Sequence, residues 1–311
     1  MVDDASAGAR LDQFLARALG GASAHAARRL IAAGAVRVDG RPATRKGERV
    51  GAGQAITVAS GETDAGIDAA ALRVTPDPAL ALAVIFEDAA LIAVNKPAGI
   101  PSHPLRAGER GTAANAVVAR FAECADASDD PREGGLGHRL DGDTSGVLLA
   151  ARSRVAWQGL RAALGDPSCE KTYLAQVCGA PPARGQIDGA IGRRGRRAAR
   201  VVIDAGRGAL PAHTAWEVLS SGGGPSALVR ARLHAGRPHQ VRAHLAAAGF
   251  PILGDPIYGD ERSRGVSQAL GVAALRLHAE SIRLRHPLTG APLLIAAPPP
   301  GWAAAIGVGP G

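Results

Sequence analysis

Residues Gly137 to Ala150 read Gly-His-Arg-Leu-Asp-Gly-Asp-Thr-Ser-Gly-Val-Leu-Leu-Ala, which sets Arg139 and Asp141 two apart just ahead of an apolar run. Val147 to Ala150 has the continuous apolar character of a buried strand. Gly142, Asp143, Thr144, Ser145 and Gly146 are small, polar turn formers. The carboxylate of Asp141 is therefore expected at the mouth of a sheet rather than inside it, and a loop fixed by a rigid strand is a good place for a nucleophile. The alternative for these residues taken alone is that Asp141 closes an Asx turn and Arg139 solvates its flank.

The run does not stand alone. Phe86 to Gly99 contains Asn95, Lys96, Pro97 and Gly99 as an Asn-Lys-Pro-x-Gly string, and Lys171 to Ala175 reads Lys-Thr-Tyr-Leu-Ala. Gly236 to His244 reads Gly-Arg-Pro-His-Gln-Val-Arg-Ala-His, followed by Pro251 to Gly259 as Pro-Ile-Leu-Gly-Asp-Pro-Ile-Tyr-Gly. In this order, with His-Arg-Leu-Asp-x-x-Thr-Ser-Gly at 138–146, the segments resemble the RluA family of RNA pseudouridine synthases. The resemblance implies an enzyme that cuts the glycosidic carbon–nitrogen bond of a uridine, turns the freed base and joins its carbon 5 to the same ribose carbon, with no cofactor. It implies Asp141 as the carboxylate that acts as nucleophile or steadies an electron-poor sugar, and leaves the point of attack open. Arg242 is implied as the guanidinium that keeps Asp141 charged, and Tyr173 as a ring that packs on the target base and shares in the proton transfers.

By the same resemblance Arg139 fills the gap left when the uridine leaves its stack. His138, Thr144, His239 and Gln240 are expected around the RNA, with His138 orienting its loop. If Gln240 to Ala248 is helical, His239 and Arg242 share a face. The chain departs from the family where Ala235 and Pro238 replace two hydroxyl residues, a change that touches substrate choice and loop geometry.

These residues need a scaffold, and the periodicity supplies one. Leu11, Phe14, Leu15, Ala18 and Leu19 have helical spacing, with Gly20 and Gly21 as the stop. Ser23 is placed to cap a second helix with Ala27, Leu30 and Ile31 inward and Arg28 and Arg29 on its flank. Val36, Arg37 and Val38 lead into Asp39-Gly40, the strongest short hairpin signal in the chain. Two short helices and a basic hairpin resemble the S4 RNA-binding domain, which implies Arg28, Arg29 and Arg37 as RNA contacts. The expected organisation is an S4-like domain over 1–60, a Pro- and Gly-rich linker over 61–80 and a catalytic domain over 81–311. Strand patterns at 82–86, 91–94, 172–177, 214–219 and 227–234, and a helix capped by Ser153 and closed by Gly165, predict an α+β fold. The resemblance makes its catalytic sheet mixed and mainly antiparallel, preceded by the small α/β S4 domain. In 227–234 alternation predicts one core face and one basic face. Residues 186–208, rich in arginine, read as a flexible arm suited to clamping RNA, and 123–135 as an acidic surface loop.

The chain carries 36 Lys or Arg against 28 Asp or Glu. Residues 1–60 hold nine of the basic and five of the acidic ones, so half of the net excess lies in the first fifth of the chain. Clustered positive charge is the footprint of a polyanion. With aromatics at 3%, stacking on exposed rings is not the main mode of RNA binding. No apolar stretch approaches the roughly 18 residues of a membrane span, and the start lacks the order of a secretory signal, so a cytoplasmic monomer without membrane contact is expected. Cys124, Cys169 and Cys178 are too irregularly spaced for a disulfide framework, and no motif offers a metal site. The leading expectation is a synthase acting on 23S ribosomal RNA or its precursor. The alternatives are a synthase acting on transfer RNA, a non-catalytic S4-type ribosome-assembly factor, and a small-molecule hydrolase using His138 and Asp141.

Overall fold

The computed structural model describes residues 1–3, 6–18, 27, 30–31, 34–43, 48–58, 73–106, 108–193, 201–203, 206, 208–221, 224–234 and 236–306. They fall into two compact units, Met1–Leu72 and Arg73–Gly311. In the first, Leu11 and Leu15 of α1 (Leu11–Ala18) are buried in one cluster with Val36 and Val38 of β1 (Val36–Val38). β1 alternates buried, exposed, buried, which leaves Arg37 outward. It pairs antiparallel with β2 (Arg41–Pro42) and β3 (Ile56–Val58). Asp39 and Gly40 both take positive φ, 49° and 75°, as the tight hairpin turn between right-twisted strands requires. Ser23, Arg28 and Arg29 lie outside the described residues, as does 61–72 of the expected linker. Val74 is buried in the second unit and donates its N–H to the Pro131 carbonyl at 3.0 Å, so residues 73–80 belong to that unit and not to a linker.

The second unit is built on a nine-stranded sheet. Its chain order is β4 (Ala83–Glu87), β5 (Leu91–Lys96), α2 (Ala113–Arg120), β6 (Ser145–Ala151), α3 (Arg154–Gly165), β7 (Glu170–Cys178) and β8 (Arg184–Asp188). A two-stranded hairpin, β9 (Ile191–Arg193) and β10 (Val201–Ile203), stands apart from the sheet. β11 (His213–Ser220), β12 (Ser226–Leu233), α4 (Gln240–Ala247), α5 (Glu261–Ala269), β13 (Leu277–Arg285), β14 (Pro292–Ala296) and α6 (Gly301–Ala304) complete it. The strand order is β4-β5-β6-β13-β7-β12-β11-β8, with β14 on β13. β6 and β13 run parallel and the other described pairs antiparallel, the mixed, mainly antiparallel α+β arrangement that was expected.

Leu91–Val94 of β5 and Val147–Ala151 of β6 are continuously apolar because both faces of these strands are covered. Leu91, Ala93, Val147 and Leu149 pack with Trp157 and Leu160 of α3, while Ile92, Val94, Leu148 and Ala150 pack with Ala114, Val117 and Val118 of α2. Each fully buried leucine of this set contributes about 1.5–3 kcal/mol, so the strand leading out of the Asp141 loop is firmly seated. The Ser153 hydroxyl accepts the Ala156 N–H and starts α3 as expected. On the other half of the sheet, Val229, Ala231 and Leu233 of β12 face Val241 and Leu245 of α4.

Three expectations change. The outward arginines of β12 are no open basic face, since Arg230 pairs with Glu280 at 2.8 Å and Arg232 with Glu217 at 2.6 Å. The arm over 186–208 has an ordered base, because Ile191 and Val201 are buried with Ala243 and Tyr258; residues 194–200 lie outside the described set. The acidic stretch is partly core, with Cys124 and Ala127 buried around a 3₁₀ turn (Ala122–Asp126).

Candidate active site

Asp141 sits on the loop that enters β6, and the residues on both sides of it are fastened. Leu140 donates its N–H to the Ser102 hydroxyl at 2.9 Å, and that hydroxyl donates back to the Leu140 carbonyl at 2.7 Å. The Gly142 carbonyl accepts from the Gly99 N–H at 3.0 Å and from Lys96 Nζ at 2.9 Å. Lys96 is fully buried at the end of β5 and also donates to the carbonyls of Pro97 and Ile100 at 2.8 and 2.7 Å. Burial pulls its pKa down to about 8 against the opposing charges of Asp143 and Asp141. At neutral pH it remains mostly an ammonium, and its three N–H bonds match three carbonyls.

α4 brings the cation. Arg242 Nη1 donates to Asp141 Oδ2 at 2.8 Å, while Nε and Nη2 donate to Asp255 Oδ2 and Oδ1, both at 2.8 Å. Arg242 is buried, with a side chain 4% exposed, Asp255 is 0% exposed and Asp141 23%. Burial opposes the charge on Arg242, but Asp255 and then Asp141 outweigh it and hold its pKa above the ordinary value. Asp255 is likewise held below its ordinary range, since Arg242 and the N–H groups of Tyr258 and Ile257 overcome its burial. The Tyr258 ring lies 5.4 Å from the guanidinium carbon. His239 caps α4 in the left-handed region at φ 55° and places Nε2 3.7 Å from Asp141 Oδ1. Its Nδ1 is 3.1 Å from the Tyr258 hydroxyl.

Asp141, Arg242, His239 and Tyr173 line one cavity of about 320 Å³, within the size range of small-molecule sites. A carboxylate held by a buried guanidinium at a cavity wall is equipped to meet an electron-poor carbon. Residues 90–247 match the RNA pseudouridylate synthase family, and residues 9–56 match the S4 domain. The chain belongs to the RNA pseudouridylate synthase family. It is 36% identical to the ribosomal large subunit pseudouridine synthase D of Nitrosomonas europaea over 98% of this chain and 85% of that one. A protein of Synechocystis sp. named as an uncharacterized RNA pseudouridine synthase is 31% identical over 96% of this chain and 88% of its own. Among solved structures, human RNA pseudouridylate synthase domain containing 1 superposes with a TM-score of 0.57 at 26% identity, covering 72% of this chain and 86% of that one.

Within the synthase, Tyr173 lies in β7 opposite Ala279 of β13, where the register shifts before Ser281. It joins the core clusters on the two halves of the sheet. Burial, and then the Asp141 charge, raise its pKa well above the ordinary phenol value, so the ring is neutral and keeps its proton. Arg139 is exposed beside the cavity that it helps to line. The remaining expected contacts have the following surroundings. His138 accepts the Leu149 N–H on Nε2 at 3.1 Å, which occupies that nitrogen in extending the β6 ladder. Gln240 is buried, and its amide meets the His213 carbonyl, the Thr214 hydroxyl and the Arg237 N–H. It braces the helix start with both amide N–H groups, while lining the cavity. Thr144 is only 2% exposed and lines the inner cavity wall. Arg37, in the first unit, is exposed and touches its own turn at the Gly40 carbonyl.

Sequence reasoning missed Lys96 and Asp255 as holders of the site, although both lie inside quoted motifs. It also passed over a cationic wall in the synthase cavity. Lys171, Arg161 and Arg237 line it, and among the described residues their side chains donate to the carbonyls of Leu164, Gly137 and Pro211, with Arg161 also over the Trp157 ring. Lys171 is held below its ordinary pKa by burial, despite Cys169, and by Arg237 and Arg161.

Proposed function

We propose that this enzyme converts a uridine of large-subunit ribosomal RNA to pseudouridine with Asp141 as the reacting carboxylate. The observation that carries the reading is the single 2.8 Å hydrogen bond from buried Arg242 to Asp141 Oδ2 at the wall of a nucleoside-sized cavity. In the reaction the bond from N1 of the base to the ribose carbon breaks, the base turns, and carbon 5 bonds to the same ribose carbon. The proton on carbon 5 is then lost and N1 gains one. Asp141 either bonds to the sugar carbon or stabilises its positive charge, and Arg242 holds it in place for both through Nη1. Tyr173 offers the base a neutral ring face and a hydroxyl that retains its proton.

Arg139 takes the place of the extruded base in the RNA stack, offsetting part of an unstacking cost of a few kcal/mol. Lys171, Arg161 and Arg237 have no carboxylate partner among the described residues and face backbone phosphates in this reading. Residues 1–60, with the S4 domain, supply affinity for folded RNA and the unit Arg73–Gly311 the chemistry. The ribosomal target is supported by the name of the Nitrosomonas europaea relative. Carbodiimide primer extension on RNA treated with Asp141→Asn tests the chemistry, with loss of product and retained RNA binding expected. Activity within tenfold of wild type, about 1.4 kcal/mol of barrier, would exclude Asp141. Pseudouridine mapping in the host with and without the gene tests the target: loss confined to transfer RNA would exclude ribosomal RNA and leave the reaction standing.

A further inference from the structure

We infer that Asp255 is a positioning residue for the reaction, which holds the bidentate edge of Arg242 so that Asp141 keeps one oxygen for the substrate. The inference rests on the reading of Asp141 as the reacting carboxylate. A guanidinium presents two edges on which a carboxylate can sit with two parallel hydrogen bonds. Here the edge formed by Nε and Nη2 is taken by Asp255, through both its oxygens at 2.8 Å. Asp255 cannot swing away. Its Oδ1 also accepts the N–H groups of Ile257 at 2.9 Å and Tyr258 at 3.0 Å, and its side chain is fully buried.

The consequence falls on Asp141. Arg242 reaches it through Nη1 alone and touches only Oδ2, while Oδ1 has His239 Nε2 at 3.7 Å, beyond hydrogen-bond range. Of the two carboxylates on this guanidinium, Asp141 borders the cavity, as Arg242 itself does, and Asp255 does not. Arg242 without Asp255 would be a whole positive charge free to turn and take both oxygens of Asp141, a stronger and less reactive pair. Asp255 thus anchors the guanidinium by one edge and fixes it in the orientation in which Nη1 alone meets the reacting carboxylate.

The test compares Asp141→Asn, Asp255→Asn and Asp255→Glu in the full chain by single-site kinetics on RNA, with thermal melts and filter binding. Asp255→Asn, which places an amide against two guanidinium donors, is expected to lower kcat about 100-fold, with KM and RNA affinity within threefold. Asp255→Glu keeps the charge and is expected to recover part of kcat. In an Arg242→Lys background, where no fork exists to be anchored, Asp255→Asn should cost little more. A purely structural role predicts instead a lower melting temperature with unchanged kcat per folded enzyme, and losses that add in the double variant; either result overturns the inference. Should Asp255→Asn not fold, Asp255→Glu decides alone, and wild-type kcat in it would also overturn the inference. Retained activity in Asp141→Asn would instead remove the underlying reading.

Discussion

A β-carbon on Gly146 would lie 2.1 Å from the carbonyl oxygen of Ala279. The contact sits in the parallel pairing of β6 with β13, where Ala279 faces Gly146 and His278 faces Ser145, and Gly146 itself is at φ +112°. Two strands that bound the site approach so closely there that only a hydrogen fits. Gly146→Ala must therefore move a backbone carbonyl or the Asp141 loop. The expected cost is about 3 kcal/mol or more, a fall of roughly 6–12 °C in the melting temperature of a domain this size. A melt within 2 °C of wild type would mean that the strands part without penalty.

Lys96→Met should loosen the loop from the other side. The substitution keeps the length and apolar stem but withdraws three N–H donors. The carbonyls of Pro97 and Ile100 lose the partner they have, and Gly142 retains only Gly99. A buried acceptor left unsatisfied costs about 1–3 kcal/mol, which outweighs the relief of no longer burying a charge. Since Gly142 adjoins Asp141, kcat is expected to drop at least about tenfold. Denaturant melts and kinetics on the same preparation check both halves, and full activity in a destabilised protein would show that the loop is held without Lys96.

Much of the site was legible because its signals are local. A turn cluster before an apolar run places Asp141 at a sheet mouth, while its role came from the resemblance, and the shared face of His239 and Arg242 follows from their spacing of three. What was hidden is long-range or carried by backbone. Asp255 meets Arg242 only because the chain turns back after α4, and the acceptors of Lys96 are carbonyls, which have no sequence signature. Gln240 was expected around the RNA from its place in the motif, and the first turn of α4 buries its amide against Thr214. Arg230 and Arg232 looked like a basic face because Glu280 and Glu217 arrive from other strands. The β9–β10 hairpin was obscured by the arginine run that separates its two short apolar segments.

His138 should make the fold sensitive to acid. Its Nε2 accepts the Leu149 N–H, next to the bond from Gly137 N–H to the Leu149 carbonyl, so the ring must be neutral to complete the ladder. Burial, then Lys171 and Arg161, push its pKa down to about 3, against an ordinary value of 6.5. Between these values the unfolded chain binds a proton that the folded one refuses. Stability from this group is therefore complete above pH 6.5 and declines as the pH falls toward 3. By pH 4.5 the decline is about 1–2 kcal/mol, allowing for the partial exposure of the ring. His138→Gln retains an oxygen that can accept from Leu149 and removes the titration. Urea midpoints from pH 7.5 to 4.5 should fall less steeply in the variant than in wild type, since every other acid-sensitive group is common to both. Parallel curves would mean that the imidazole can take a proton without leaving the ladder.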